Sequence, residues 1–201
     1  MIRILAGQKR GMQLRVARAV AVRPTASNAR QVLFDILGAR VRGARWLDLY
    51  AGSGAVGLEA LSRGAAACVL VESARRCQEA IRKNIACLGY EDRCRLVAAP
   101  VEKSLRKLAA AGETFDLIFL DPPYEGDKAT RCLLALGNPP APLLAPSDET
   151  LVIAQLSARR QAVQTVGLLV LERERKLGDT CVCFYRQVAA GKDAFVREAP
   201  L

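Results

Sequence analysis

The chain contains no histidine in its 201 residues, and this absence narrows the chemistry open to it. Without imidazole, neither a Ser-His-Asp triad nor a Cys-His pair can form, and the usual zinc sites that mix cysteine with histidine are not expected. No metal site is predicted. Any catalysis must therefore use carboxylates, hydroxyls, amines, backbone groups or a bound cofactor.

Long apolar runs are also missing. No run reaches the roughly 18 residues that a membrane-spanning helix needs, and the first residues, MIRILAGQKR, lack the apolar core of a signal peptide. We expect a cytoplasmic protein without a membrane partner. The seven cysteines are odd in number and include no CxxC pair, which predicts reduced thiols. Cys181 and Cys183 fit a core-facing pair on a strand better than a metal or redox site.

Positive charge is concentrated near the N-terminus. Residues 1–45 hold ten Lys and Arg against one acid, Asp35, so nearly all of the net charge of +10 lies there. Such asymmetry favours a polyanionic partner, either nucleic acid or an acidic membrane surface. The alternative is a solvated basic face that only aids solubility.

The N-terminal region predicts a small basic hairpin. Residues 2–5 and 12–16 read as short strands around GQKRG, and Arg23-Pro24-Thr25 breaks the chain before a helix capped by Ser27 or Asn28. We expect two parts: a basic, RNA-binding arm at residues 1–25 and a larger domain at residues 26–201.

The larger domain alternates apolar runs with helical patterns, which predicts an α/β fold with a mostly parallel, doubly wound, Rossmann-like sheet. The expected strands are 45–50, 66–71, 94–98, 115–120 and 150–154. The expected helices are 55–63, 74–88, 101–111 and 127–137. Residues 166–176 and 180–188 flank the turn signal LGDT, so a C-terminal antiparallel hairpin should join the sheet.

A glycine-rich loop, LDLYAGSGAVGLEAL at residues 47–61, connects the first of these strands to a helix. Gly52 and Gly54 permit a sharp turn close to a ligand, and Glu72 ends the next strand, where a ribose diol would bind. GSGAVG also satisfies the dinucleotide pattern GxGxxG. However, the carboxylate of Asp48 would repel a pyrophosphate and attract an amino group, which favours S-adenosylmethionine.

A second motif, DPPY at residues 121–124, follows the apolar run 115–120. The Asp121 carboxylate and the Pro122 carbonyl can accept both hydrogens of an exocyclic amine. Pro123 stiffens the turn and donates no hydrogen bond. Tyr124 offers a ring on which a base can stack. The alternative is a surface turn.

Direct methyl transfer to nitrogen suits this site, because an amine held in line with a sulfonium methyl needs no covalent enzyme intermediate. Exocyclic amines of adenine and guanine have similar geometry, so DPPY leaves the base undecided. The hypotheses that remain are a methyltransferase acting on a purine amine in RNA, an adenine-N6 DNA methyltransferase and a catalytically idle RNA-binding ribosome-assembly factor.

The sequence resembles the RsmD family of bacterial 16S rRNA guanine-N2 methyltransferases over almost its whole length. The resemblance rests on RILAGQKRGMQL, RPTASNARQVLFDIL, LDLYAGSGAVGLEALSRGA, VLVE, DPPY and GDTCVCFY. It implies a class I methyltransferase fold, S-adenosylmethionine as cofactor, 16S rRNA in a 30S subunit or assembly intermediate as partner, guanine 966 as target, and a monomer.

The resemblance also implies residue roles. Catalysis is expected at Asp121, Pro122, Pro123 and Tyr124. The expected cofactor contacts are Asp48, Tyr50, Gly52, Ser53, Gly54, Glu72 and Val101. The expected RNA contacts are Lys9, Arg10, Arg15, Arg23, Thr25 and Arg30.

The sequence departs from the family pattern in two places. Gln31 stands where relatives commonly carry Glu, which removes an expected ion pair. Ala99 and Pro100 stand where an Asp or Asn often binds the adenine amine. Adenine recognition would then depend on the backbone around Val101.

Overall fold

The computed structural model describes residues 2–17, 25–123, 127–138 and 143–188. The strands within these ranges are β1 Ile2–Arg3, β2 Gln13–Leu14, β3 Arg45–Leu49, β4 Ala67–Val71, β5 Cys94–Val97, β6 Leu117–Leu120, β7 Leu151–Ser157, β8 Thr165–Val166, β9 Leu169–Leu177 and β10 Thr180–Gln187. The α-helices are α1 Thr25–Leu37, α2 Ala55–Ser62, α3 Arg75–Leu88, α4 Val101–Ala110 and α5 Lys128–Gly137. A short 3₁₀ helix, Gly38–Val41, follows α1.

One sheet carries the strands in the order β5-β4-β3-β6-β7-β10-β9-β8. The first five strands in this order, β5, β4, β3, β6 and β7, are parallel to one another. Strand β10 pairs antiparallel with both β7 and β9. Three neighbouring parallel strands, β4, β3 and β6, are almost wholly buried, as their continuous apolar runs predict. The predicted α/β fold with a C-terminal antiparallel hairpin is confirmed. Its strand order reverses between β3 and β6, the position at which doubly wound sheets bind ligands.

Helices cover both faces of the sheet. Helices α1, α2 and α3 pack on one face around Trp46, Phe119 and Ile153. Helices α4 and α5 pack on the other face around Leu47 and Ile118. Because successive strand residues point to opposite faces, each strand supplies both cores. The result is a three-layer arrangement whose strand ends hold the candidate site.

Two predicted boundaries were wrong. Helix α1 begins at Thr25, so Ser27 and Asn28 lie in its first turn instead of capping it. Thr25 and Ala26 are compatible with a helix start, so a start predicted from Ser27 or Asn28 falls a few residues too late. The strand predicted from Val166 to Lys176 is interrupted by a turn at Gly167, which has a φ of +59°. This turn separates β8 from β9, and its glycine was the sequence signal for the break.

The N-terminal hairpin is present but short, with Ile2 opposite Leu14 and Arg3 opposite Gln13. Ile4 and Leu14 are buried in the core on the α1–α3 side of the sheet. The hairpin therefore packs against the larger domain through apolar side chains. The division into an arm at residues 1–25 and a domain at 26–201 stays a prediction.

Cys181 and Cys183 are buried on the α4–α5 side, with their sulfur atoms 3.8 Å apart. An oxygen of Glu174 lies within 4.8 Å of both sulfur atoms. Burial is the main cause that raises the pKa of Cys183 well above its usual value, and the neighbouring Cys181 raises it further. The protonated thiol is thus favoured over the thiolate that metals bind, in agreement with the predicted core pair.

The described ranges contain no helix that is both long and apolar enough to cross a bilayer.

Candidate active site

Polar side chains line the carboxyl ends of four adjacent strands. Leu70 of β4 pairs with Asp48 of β3, which pairs with Phe119 of β6, and Phe119 pairs with Ile153 of β7. Counting two residues onward along three of these strands reaches Glu72, Asp121 and Gln155. Because alternate residues share a face, these three side chains belong to one row on the α1–α3 side, and Asp48 lies two residues deeper.

The glycine loop follows β3 and leads into α2. Gly52 and Gly54 have φ values of +58° and +78°, as the predicted sharp turn requires. Gly57 packs against the sheet, where an added Cβ would lie 2.4 Å from Leu70 and 2.6 Å from the Cys68 sulfur. Close helix–strand packing therefore explains the third glycine of GSGAVG without any pyrophosphate.

Asp48 is 1% exposed and lies beneath this loop. Its Oδ2 accepts a hydrogen bond of 2.9 Å from the Gly57 amide in the first turn of α2. Burial raises the pKa of Asp48 to about 8, against the opposing effect of the Gly57 hydrogen bond, and the nearby carboxylates Asp121 and Glu72 raise it further. A cationic ligand at this site would lower that pKa by favouring the ionised carboxylate.

Glu72 supports the loop from the next strand. One carboxylate oxygen accepts from the Gly52 amide at 2.8 Å, and the other accepts from the Ala74 amide at 2.8 Å. Each oxygen has two lone pairs, so acceptor capacity remains for ligand hydroxyls. Glu72 thus fixes the loop and stands where the predicted ribose contact would form.

The first residues of DPPY lie at the same edge. The Asp121 amide approaches the Leu49 carbonyl of β3 at 3.5 Å, which places it next to the start of the glycine loop. Gln155 Nε2 donates to Asp121 Oδ2 at 3.2 Å. Pro122 is buried and Pro123 is exposed. Tyr124 lies outside the described residues, so its predicted stacking role stays a prediction.

A cavity of about 170 Å³ opens beside Glu72 and reaches the start of α4. Tyr50 and Val101, two predicted cofactor contacts, line it together with Ser73 and Pro100. Tyr50 has a φ of +64°, a conformation that costs a non-glycine residue about 1–3 kcal/mol and often marks a functional site. Asp48, Gly52 and Gly54 are not among the residues that line this cavity.

A second cavity of about 170 Å³ adjoins the first between α4 and α5 and shares Tyr50 and Val101 with it. Burial raises the pKa of Tyr50 well above its usual range, so the ring remains a neutral phenol.

Arg15 lies near the glycine loop through a shared partner, Asn84 of α3. Asn84 is 1% exposed; its Oδ1 accepts from the Arg15 amide at 2.8 Å, and its Nδ2 donates to the Arg15 carbonyl at 3.0 Å. Nδ2 also donates to the Ser53 carbonyl in the loop at 2.9 Å. One side chain therefore joins the hairpin to the predicted cofactor loop.

Lys9 and Arg10 lie at the other end of α2. The Lys9 amide donates to Ser62 Oγ at 3.0 Å, and the Gln8 amide donates to the Ser62 carbonyl at 2.8 Å. Since α2 begins at the glycine loop and ends at Ser62, its eight residues separate the hairpin turn from the loop by about 12 Å. The structure therefore does not bring Lys9 and Arg10 to the DPPY edge.

The other three predicted RNA contacts differ in position. Arg30 is buried, and its guanidinium donates to the Arg3 carbonyl at 2.6 Å, so it holds the hairpin. Burial lowers its pKa and the Glu59 carboxylate opposes that effect. Thr25 is the first residue of α1, and Arg23 lies outside the described residues. RNA contact by these residues stays a prediction.

Sequence reasoning missed the polar side chains that assemble this region. Glu59 is fully buried and accepts from the Leu5 amide at 2.7 Å and the Ala6 amide at 3.0 Å. Its signal was a single acid within the apolar helix AVGLEALS. Asn84 lies on the apolar face of α3 with Ile81 and Leu88. A polar residue on an apolar helical face indicates a buried hydrogen-bonding partner.

Comparison with known proteins agrees with this architecture. The family model described as "Conserved hypothetical protein 95" matches residues 2–186. The chain belongs to the RsmD family. The "Ribosomal RNA small subunit methyltransferase D" of Escherichia coli K12 is 32% identical over 191 residues, which cover 95% of this chain and 92% of the relative.

Two further relatives match over nearly the same length. YlbH of Bacillus subtilis is 31% identical over 186 residues, covering 92% of this chain and 99% of YlbH. The solved structure of yhhF from Escherichia coli has 32% identity and a TM-score of 0.77, covering 94% of this chain and 98% of that one. The RsmD-family match thus includes the hairpin, the glycine loop and the DPPY edge together.

Proposed function

We propose that this RsmD-family chain transfers a methyl group from S-adenosylmethionine to the exocyclic N2 amine of a guanine in 16S rRNA, with guanine 966 as the target. The observation that carries the proposal is the position of Asp121 and Pro122. They follow β6 directly beside the glycine loop, on the edge where Glu72 follows β4.

The residues at this edge fit such a cofactor. Glu72 and Asp121 supply negative charge suited to a sulfonium and an ammonium, and Asp48 adds a further carboxylate once such a cation lowers its raised pKa. The cavity beside Glu72 provides an apolar wall at Val71 and Val101. Tyr50, Gly52, Ser53 and Gly54 form the loop that would enclose the ligand. S-adenosylmethionine, when bound, supplies an electrophilic methyl group on sulfur.

The chain's own task is to hold the accepting amine. The Asp121 carboxylate and the Pro122 carbonyl accept its two hydrogens, which makes the nitrogen lone pair more available for attack. Pro123 stiffens the turn, and Tyr124 provides the stacking face expected from sequence. The nitrogen loses its proton after transfer, and Asp121 is the nearest base in the proposed arrangement. Positioning supplies much of the acceleration.

Two observations support ribosomal RNA as the substrate. The Escherichia coli relative carries that substrate in its name, and the basic hairpin presents Arg3, Arg10 and Arg15 as exposed cations suited to phosphate. We propose that the 30S subunit or an assembly intermediate is the partner and that the enzyme acts as a monomer.

Methyl transfer to 30S subunits from cells that lack this protein tests the proposal. Wild-type protein with labelled S-adenosylmethionine should yield N2-methylguanine at one 16S nucleotide, identified by mass spectrometry. Asp121→Asn should reduce the rate at least 100-fold while RNA affinity stays within about threefold, and Asp179→Asn in the exposed β9–β10 turn is the matched control.

Methylation of adenine in duplex DNA instead would favour the DNA-enzyme alternative. Binding of RNA and S-adenosylmethionine without any methylated base would favour the assembly-factor alternative.

A further inference from the structure

Gln155 joins the DPPY edge from the neighbouring strand. It is half-buried near the carboxyl end of β7, one residue beyond the Leu120–Ala154 pair. Its Nε2 lies 3.2 Å from Asp121 Oδ2. Both side chains belong to the row on the α1–α3 side of the sheet, so Gln155 reaches the proposed position of the amine from the side opposite the glycine loop.

The contact with Asp121 fixes the orientation of the Gln155 amide. An ionised carboxylate only accepts hydrogen bonds, so the NH₂ end of the amide must face it. Rotation of the amide by 180° would place Oε1 against Asp121 Oδ2, two acceptors in contact, which is unfavourable. Gln155 therefore presents an acceptor, Oε1, beside the atoms that would hold the amine.

The two purines differ at the atom next to the reactive amine. In guanine, the 2-amine is adjacent to N1–H, a second donor. In adenine, the 6-amine is adjacent to N1 without hydrogen, an acceptor. An acceptor next to Asp121 complements the guanine edge and opposes the adenine edge, and a buried hydrogen-bond mismatch of this kind discriminates strongly.

We propose that Gln155 is a specificity-determining residue whose Oε1 accepts the N1–H of the target guanine while Asp121 and Pro122 hold its 2-amine. This inference rests on the proposed function and deepens it, because it assigns the choice of guanine over adenine to one side chain. DPPY alone does not make that choice, since its acceptors suit either amine.

The test uses RNA stem-loops that contain the modified nucleotide and its flanking stem, with either guanine or 2,6-diaminopurine at the target. Diaminopurine keeps the 2-amine but has an unprotonated N1. Wild type should methylate guanine about 10-fold to 100-fold faster than diaminopurine. Gln155→Leu, similar in size, should reduce this preference to threefold or less, chiefly by slowing transfer to guanine.

Binding provides a second readout that does not depend on turnover. Stem-loops with inosine at the target present N1–H without a 2-amine, and stem-loops with purine present neither. Wild type with S-adenosylhomocysteine should bind inosine RNA about 5-fold or more tightly than purine RNA, and Gln155→Leu should bind the two equally.

Two further variants complete the design. Gln155→Met also lacks an acceptor but keeps the length of the side chain, and it should lose the preference for guanine even if Gln155→Leu folds poorly. Gln187→Leu is the matched control. Gln187 is exposed near the end of β10, next to Arg186, which pairs with Leu151 at the start of β7. It therefore lies at the opposite edge of the sheet, and the variant should behave as wild type.

The outcomes separate the two proposals. If wild type methylates guanine and diaminopurine equally, or if Gln155→Leu and Gln155→Met both keep the full preference, the role of Gln155 is wrong while guanine-N2 transfer stands. A preference for diaminopurine would mean that Gln155 Nε2, rather than Oε1, contacts N1 of the base, and it would also overturn the proposed role of Gln155. If wild type methylates no guanine in any RNA, the proposed function itself fails.

Discussion

Asn84 forms two hydrogen bonds with the backbone of Arg15, one in each direction, from a position 69 residues away in the chain. The Asn84 side-chain amide thus binds the Arg15 N–H and carbonyl in the way that the backbone of a neighbouring strand would. Because the same amide group also binds the Ser53 carbonyl, the hairpin and the glycine loop share one support.

Removing this support should destabilise both segments. Asn84→Ala leaves the Arg15 amide and the carbonyls of Arg15 and Ser53 without their partner, and we expect a decrease of about 2–4 kcal/mol in the free energy of unfolding. Urea denaturation measures it, with exposed Asn28→Ala as control. Hydrogen exchange at residues 13–17 and 51–54 should also accelerate. A decrease below about 0.5 kcal/mol would show that water replaces the side chain.

Glu59 should control the attachment of the hairpin turn. Its carboxylate accepts from two hairpin amides and from Arg63 Nε at 2.8 Å. Glu59→Gln replaces one acceptor with a donor that faces these N–H groups, so trypsin should cleave after Lys9 and Arg10 several times faster than in wild type. Glu79→Gln in the exposed Arg75–Glu79 pair should change neither rate. Equal cleavage rates in all three proteins would contradict this role.

Stability should fall as the pH rises because of Asp48. The folded protein raises the pKa of this carboxyl from 3.8 to about 8, mainly by burial. The folded state therefore binds the proton more tightly than the unfolded state, and the stabilisation present below pH 4 is lost as the pH rises towards 8. The slope is at most about 1.4 kcal/mol per pH unit.

Asp48→Asn should flatten this dependence between pH 4 and 8, whereas exposed Asp92→Asn should leave it unchanged. Denaturation midpoints measured across this range would decide the matter. An identical slope in wild type and Asp48→Asn would mean that Asp48 is ionised throughout.

The basic residues of the hairpin should fall into two groups: Lys9 and Arg10 should affect RNA binding alone, whereas Arg15 should also affect kcat. Lys9→Gln with Arg10→Gln should weaken RNA binding and reduce the slope of log affinity against log salt by about 0.7–0.9 for each phosphate that these side chains neutralise in wild type. Because these residues lie at the far end of α2, KM for RNA should rise while kcat stays constant. Lys103→Gln with Lys107→Gln on α4 is the charge-matched control.

Arg15→Gln should reduce the salt slope similarly but should also lower kcat. The Arg15 backbone is held near the glycine loop through Asn84, and loss of a phosphate contact there would misplace the target base. An unchanged slope for the Lys9 and Arg10 pair would show that the hairpin turn does not touch phosphate.

The sheet could be predicted from sequence because its cause is local. Runs such as LIFL in β6 are apolar at every position, and a strand buried on both faces needs that composition. The glycine loop and DPPY could be placed at one edge, because the carboxyl ends of parallel strands coincide.

The internal supports could not be predicted in the same way. Glu59 contacts Leu5 across 54 residues and Gln155 contacts Asp121 across 34. Such contacts depend on how helices and strands pack, and no local pattern specifies the partner. The same limit explains why Arg30, a cation in a basic segment, proved to be buried against the Arg3 carbonyl.

The central position of β10 has a consequence for the order of folding. It fills the gap between β7 and β9 and pairs with β7 from Thr180 to Arg186. During synthesis, the backbone groups on this edge of β7 therefore stay unpaired until about 30 further residues have emerged from the ribosome. This pairing forms late because β10 is the last strand to be synthesised, and a nascent chain halted before Thr180 would expose an aggregation-prone strand edge.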